Sequence, residues 1–183
     1  MDSELKEKGY KLVDLNLGFE DLMVKCFEEA CQSQNIQPEE VDIVSRKSVN
    51  VYMEYLASLI QREYLTSTIE KETNLKLIPT YSYVRKYFQG SILESHIDRD
   101  PCEISLSYCI SGPDWDIVMG DNTITTKKGN GVIYRGCDTP HSRPTPCTGD
   151  VIQTFSHWVI SGGTRLKSAY DNGKHFDFYK YVP

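Results

Sequence analysis

Two hydrophobic periods divide the chain. From Gly18 to Gln34 the apolar residues Phe19, Leu22, Met23, Cys26, Phe27 and Ala30 recur at intervals of three and four, which marks one face of an amphipathic helix. Pro38 followed by Glu39 and Glu40 suits the opening of a short second turn or helix. A longer helix is predicted from about Ser48 to Glu72, carried by Val51, Tyr55, Leu56, Leu59, Ile60, Tyr64 and Ile69, with Asn74 and Pro79 closing the helical part. After Leu75 the period falls to two. Tyr81, Tyr83, Arg85 and Tyr87 alternate within 76–88, as do Ile104, Leu106, Tyr108 and Ile110 within 102–110, the signature of strands. Further short strands are expected at 115–119, 122–126, 131–135 and 150–160, between turns such as GPD, GDN and KKGNG. The tail 161–177 is polar and glycine-rich, and FDFYKYVP is read as a last edge strand. The pattern predicts an α+β protein in which a helical layer covers a β-sandwich or barrel.

At 183 residues the chain fits one domain, with 1–74 as mainly helical support and 75–183 as the β core. The apolar fraction of 39% and charged fraction of 25% are ordinary globular values. A formal charge of −6 supplies no basic field for a phosphate backbone, so no nucleic-acid partner is expected. The opening MDSELKEKGYK lacks the apolar run of a signal peptide and no window resembles a membrane span, which predicts a cytoplasmic protein with no membrane partner. The six cysteines show no CxxC pair and read as free thiols, several of them buried.

Candidate chemistry lies where strands end. His96 and Asp98 in SHIDRD are two residues apart, so in extended chain their side chains point to the same side. His141 stands beyond the run GVIYRG and a small turn. Two histidines and one carboxylate on neighbouring strand rims give a three-ligand metal site with open positions, the arrangement that suits non-haem Fe(II). His157, beside Trp158 in a hydrophobic strand, reads as a hydrogen-bonded core or pocket-lining residue, and His175 as an exposed one.

Motif order carries a resemblance. The string R-x-Y-x-x-G-x-x-L-x-x-H-x-D (Arg85 to Asp98), then C-x-I-S-L-S-Y (Cys102 to Tyr108), then D-W-D, then I-Y-R-G-x-x-x-x-H-x-R (Ile133 to Arg143) resembles the prolyl-4-hydroxylase-like branch of the 2-oxoglutarate/Fe(II)-dependent dioxygenases, over residues 80–160. The resemblance implies a double-stranded β-helix, or jelly roll, with an N-terminal helical layer. It implies Fe(II), 2-oxoglutarate as co-substrate and O2, with ascorbate as an accessory, and hydroxylation of a C–H bond in a peptide, protein or small-molecule substrate, a prolyl residue first among them. His96, Asp98 and His141 would be the catalytic metal ligands, and Tyr108 would meet the far carboxylate of 2-oxoglutarate unless it is simply a core tyrosine. The basic partner departs from the pattern, because the expected position is Asp150. Arg143 is the nearest replacement, its planar guanidinium suiting a carboxylate, with Arg85 and Arg135 as other candidates. Tyr87 would line the pocket unless it is a core aromatic, as aromatics at strand spacing more often are, and the 110–130 segment with Trp115 is expected to form a substrate rim. Two other readings use the same residues: a non-enzymatic jelly-roll module that binds metal or ligand, and a zinc hydrolase or lyase.

Overall fold

The computed structural model describes residues 1–33, 47–51 and 54–169. The expectations at Pro38 to Glu40, at His175 and for the FDFYKYVP strand lie outside these residues.

A six-residue helix, α1 (Ser3–Lys8), opens the chain. Asp2 caps it, its carboxylate accepting from the Glu4 and Leu5 amides, and Gly9 ends it in the left-handed conformation at φ 81°. Strand β1 (Tyr10–Asp14) follows, then α2 (Glu20–Ser33), which matches the amphipathic segment. The predicted helix from Ser48 needs correction. Residues Ser48–Val51 form strand β2, paired with the edge of β3 in the register Ser48 to Tyr87. Helical structure begins as α3 (Glu54–Ile60), passes through one π-helical turn (Gln61–Leu65) and ends as α4 (Thr66–Thr73). Asn74 caps it in the left-handed region at φ 53°. Ladder bonds and burial of Val49 decide β2, and both depend on a partner strand that helical spacing cannot reveal.

Eight more strands follow: β3 (Leu77–Tyr87), β4 (Leu93–His96), β5 (Ile104–Ser111), β6 (Trp115–Met119), β7 (Asn122–Thr126), β8 (Asn130–Tyr134), β9 (His141–Arg143) and β10 (Val151–Ile160). They form a six-stranded sheet, β1-β8-β5-β10-β3-β2, and a four-stranded sheet, β4-β9-β6-β7. Every pairing is antiparallel. This is a jelly roll carrying an N-terminal helical layer.

The large sheet is buried on both faces, which is why nine of the ten β10 residues are buried. On one face, Val84, Leu106, Tyr108, Ile110, Ile133 and Trp158 pack against Leu5, Phe27, Ala57, Leu65 and Ile69 of the helices. On the other, Tyr87, Cys109, Val151 and Phe155 meet Trp115 of the small sheet, and Tyr10, Val132 and Tyr134 meet Ile117 and Met119. The space between the sheets is thus lined by the second set. Among the described residues no helix is long and apolar enough to cross a membrane, and all six cysteines are free.

Candidate active site

Strands β4 and β9 are neighbours at the rim of the small sheet, and their register sets His96 opposite His141. Asp98 follows β4 and is anchored when its amide donates to the Gly136 carbonyl at 2.8 Å. The result is a compact three-residue set. Asp98 Oδ1 lies 3.7 Å from His96 Nε2 and 3.7 Å from His141 Nε2, and the two imidazole rings are 4.3 Å apart. Each histidine is oriented through its other nitrogen: His96 Nδ1 is 2.8 Å from the Glu94 carbonyl and His141 Nδ1 is 3.0 Å from the Thr139 carbonyl. A carbonyl accepts only from N–H, so both Nε2 lone pairs are presented towards Asp98, as metal-ligating histidines require. Burial pushes the His141 imidazole below its ordinary pKa, with the Asp98 carboxylate opposing the shift. The three ligand atoms could hold one divalent cation on one face, with the other coordination positions left to other groups.

Gly136 belongs to this geometry. A Cβ there would lie 2.5 Å from Asp98 Oδ2 and 2.8 Å from Ser105 Oγ, so only glycine lets the IYRG segment approach the carboxylate so closely.

Arg143 is two residues beyond His141 on the same strand, so both side chains enter the space between the sheets. It is 1% exposed. Its Nη1 donates to the Trp115 carbonyl at 2.7 Å and to Thr126 Oγ1 at 3.2 Å, and its guanidinium stacks 4.6 Å from the Trp115 ring. Nη2 has no partner, and no carboxylate pairs with Arg143 among the described residues. Desolvation pushes its pKa down to about 10, so the group remains a cation at neutral pH. Tyr87 stands beside it, edge-on to Trp115 at 5.0 Å.

No protein-family model matches the chain, and no curated protein matches it by sequence. Solved structures do. A Pseudomonas putida prolyl-4-hydroxylase superposes with TM-score 0.62 at 16% identity, covering 87% of this chain and 96% of that one. The non-heme alpha-ketoglutarate-dependent carbocyclase SnoK from nogalamycin biosynthesis gives TM-score 0.68 at 10% identity, covering 100% and 92%. A Trichoplax adhaerens prolyl hydroxylase, solved in complex with a hypoxia-inducible-factor peptide fragment, gives 0.58 at 14%, covering 85% and 86%. This chain has the fold of the 2-oxoglutarate/Fe(II) oxygenases.

Within that oxygenase fold the structure separates the expected site residues. Tyr87 and Arg143 lie together between the sheets. Tyr108 does not, which corrects the expectation for it: it shares the helix-facing side of β5 with Leu106 and Ile110. Its hydroxyl donates to Glu20 and accepts from the Leu17 amide, so it serves as a core tyrosine tying α2 to the sheet. Tyr108→Phe should cost about 1–2 kcal/mol in urea unfolding and leave any 2-oxoglutarate requirement unchanged. Asp150 faces outward, paired with Lys86 at 2.9 Å. Arg135 is committed to Asp138. Arg85 does face the interior, where its Nε donates to Asn50 at 2.6 Å and its guanidinium sits over the Tyr83 and Tyr87 rings. Trp115 is also corrected: it is 4% exposed and braces Arg143, while Ile97, between His96 and Asp98, is the apolar residue at the rim, 57% exposed.

Sequence reasoning missed two contributors, Ser105 and Tyr134, and read His157 as the buried, hydrogen-bonded residue it is. Ser105 donates to Asp98 Oδ2 at 3.3 Å and lies 2.8 Å from His157 Nδ1. Tyr134 packs its ring 4.7 Å from His141. His157 lines this pocket at a bulge in the β10–β3 pairing, where its carbonyl accepts from Gln61 of the π turn at 2.6 Å. The signal for Ser105 was available, since Ser105, Ser107 and Cys109 form the small polar half of the β5 alternation.

Burial holds the His157 pKa down to about 4. Unfolding would return it to its ordinary value near 6.5. As pH falls from 6.5 to 4 the unfolded chain takes up a proton that the native state refuses, so stability drops, by about 3 kcal/mol over the window. His141 is shifted in the same direction. Urea midpoints of the metal-free protein should fall through this range, and His157→Gln should flatten the slope.

Proposed function

We propose that this chain is an Fe(II)- and 2-oxoglutarate-dependent dioxygenase that hydroxylates a C–H bond of its substrate. In this reading residues 1–183 act as one cytoplasmic catalytic domain. His96, Asp98 and His141 hold the iron, and Arg143, with Tyr87 beside it, takes the far carboxylate of 2-oxoglutarate. When bound, the iron and its co-substrate supply the oxidising chemistry: decarboxylation to succinate and CO2 coupled to transfer of one oxygen atom to the substrate.

The observation that carries this is Arg143, a buried cation with an unpartnered Nη2 and no carboxylate paired with it among the described residues. A guanidinium removed from water without an anion is costly, and a protein that keeps one is prepared for an anionic ligand. Strand geometry sets the reach, because residues i and i+2 are separated by about 6–7 Å along a strand. A short dicarboxylate held by the metal ligands at the His141 end would span that distance to Arg143. Trp115 and Thr126 fix the guanidinium in place, so its free edge is already oriented for a bidentate contact. His96 and His141 need no reorientation either, since their Nδ1 bonds to backbone hold the rings. Phe155, Tyr83 and Val151 form an apolar cluster with Tyr87 and Trp115, which would exclude water from a co-substrate held by Arg143.

A prolyl residue in a peptide is the first substrate to test, supported by the prolyl hydroxylases among the structural relatives; SnoK supports testing small molecules as well. Ascorbate belongs in the assay as an accessory reductant. The deciding experiment adds Fe(II) and 2-oxoglutarate to apo-protein without oxygen, records the visible iron-to-keto-acid charge-transfer band, then admits air and measures succinate. Absence of both band and succinate would refute the reading.

A further inference from the structure

A second group of ligand atoms overlaps the first. Asp98, Cys102 and His157 each place one ligand atom within 4.8 Å of the others. We propose that these three residues form a separate cation site, selective for a thiophilic divalent metal such as Zn(II), that competes with the first set because both need Asp98.

The donor set is the first argument. One thiol, one imidazole and one carboxylate match the ligands and low coordination number of zinc, with a fourth position for water, whereas hard cations prefer all-oxygen surroundings. The state of His157 is the second and independent one. It is 2% exposed, its Nδ1 is engaged with Ser105, and its Nε2 is buried without any partner. Buried polar atoms are rarely left so. Local rigidity is the third. Cys102 closes a short 3-10 turn (Asp100–Cys102), and its sulfur lies 3.1 Å from the Tyr81 hydroxyl, which can donate to a thiolate. His157 is fixed from behind by Gln61 and flanked by the Tyr81 ring at 4.5 Å. Metal binding here replaces the Cys102 S–H bond by a metal–sulfur bond and releases one proton to solvent, leaving thiolate and carboxylate to balance the divalent charge.

Metal binding at this second site does not depend on the oxygenase reading; only its consequence, inhibition by zinc through capture of Asp98, does. The test uses the full chain in its apo form. Zn(II) and Mn(II) are titrated separately against a chromophoric chelator into wild type and Cys102→Ser. Zinc affinity should fall more than about tenfold while manganese affinity stays within about twofold. Equal loss of both metals, or no loss of zinc, would overturn the proposal. Co(II) added to His141→Ala gives a second measurement that leaves Cys102 intact, so it decides even if the serine variant does not fold. A sulfur-to-cobalt charge-transfer band in the near ultraviolet supports the site, and its absence overturns it. Failure here with a normal iron–2-oxoglutarate band in wild type would leave the proposed function standing.

Discussion

His141→Ala should abolish the charge-transfer band that Fe(II) and 2-oxoglutarate produce with the apo-protein, and lower succinate release by about three orders of magnitude or more. The size follows from what the residue supplies. A ligand that positions an open metal site contributes several kcal/mol to the reaction it supports, and each 1.4 kcal/mol is about tenfold in rate. His141 is 3% exposed and already oriented by the Thr139 carbonyl, so its imidazole is presented without reorganisation and alanine removes that donor outright. Tyr134, whose ring packs on it, stays in position and keeps the strand ends intact. Anaerobic absorption and a succinate assay check the result, and a wild-type band from the variant would remove His141 from the metal site.

Arg143→Met should act in opposite directions on stability and on ligand binding. Burying a guanidinium without a counter-anion is costly, and exchange of buried charge for a hydrophobic side chain is often stabilising by about 1–4 kcal/mol. Little is lost in exchange, because the Trp115 carbonyl keeps its bond from Thr126 at 2.6 Å. The apo variant should therefore melt at the same temperature as wild type or several degrees higher, given about 2–4 °C per kcal/mol for a chain of this size. Wild type with metal and 2-oxoglutarate at a hundred times its Kd should gain about 2.7 kcal/mol; the variant should gain far less. Calorimetry of four samples, each protein with and without 2-oxoglutarate, reads both effects. An apo variant that melts lower and still responds to 2-oxoglutarate would assign the carboxylate to another cation, with Arg85 next in line.

The strands most legible in the sequence were those with one wet face. Trp115–Met119 and Asn122–Thr126 were predicted to the residue, because the turns GPD, GDN and KKGNG mark their ends and partly exposed positions keep one face of each polar or mixed. The amphipathic α2 was legible for the same reason. Three-residue β9 was not, since His-Ser-Arg looks like polar turn and is buried only by the two strands beside it. The grouping of His96 with Asp98 was legible because a two-residue spacing in extended chain puts both side chains on one side, whereas the approach of His141 comes from the β4–β9 register. Tyr108 was misplaced by a subtler cause. Period two shows that Ile104, Leu106, Tyr108 and Ile110 share a face, yet in a sheet covered on both sides it cannot say which face is the pocket. The bulky set faces the helices, and the small set of Ser105, Ser107 and Cys109 leaves room on the other side for ligands.

The π turn at Gln61–Leu65 also sets the clocking of the helical layer. It holds one residue more than an α turn, which advances the residues after it by about 100°. Ala57 and Ile60 before it and Ile69 after it are all buried against the sheet, an alignment that depends on that extra residue. Loss of a single residue between 61 and 65 would rotate one half of the helix off its footprint and withdraw Gln61 from the His157 carbonyl. A length change there would reach the pocket floor without touching any residue that lines it.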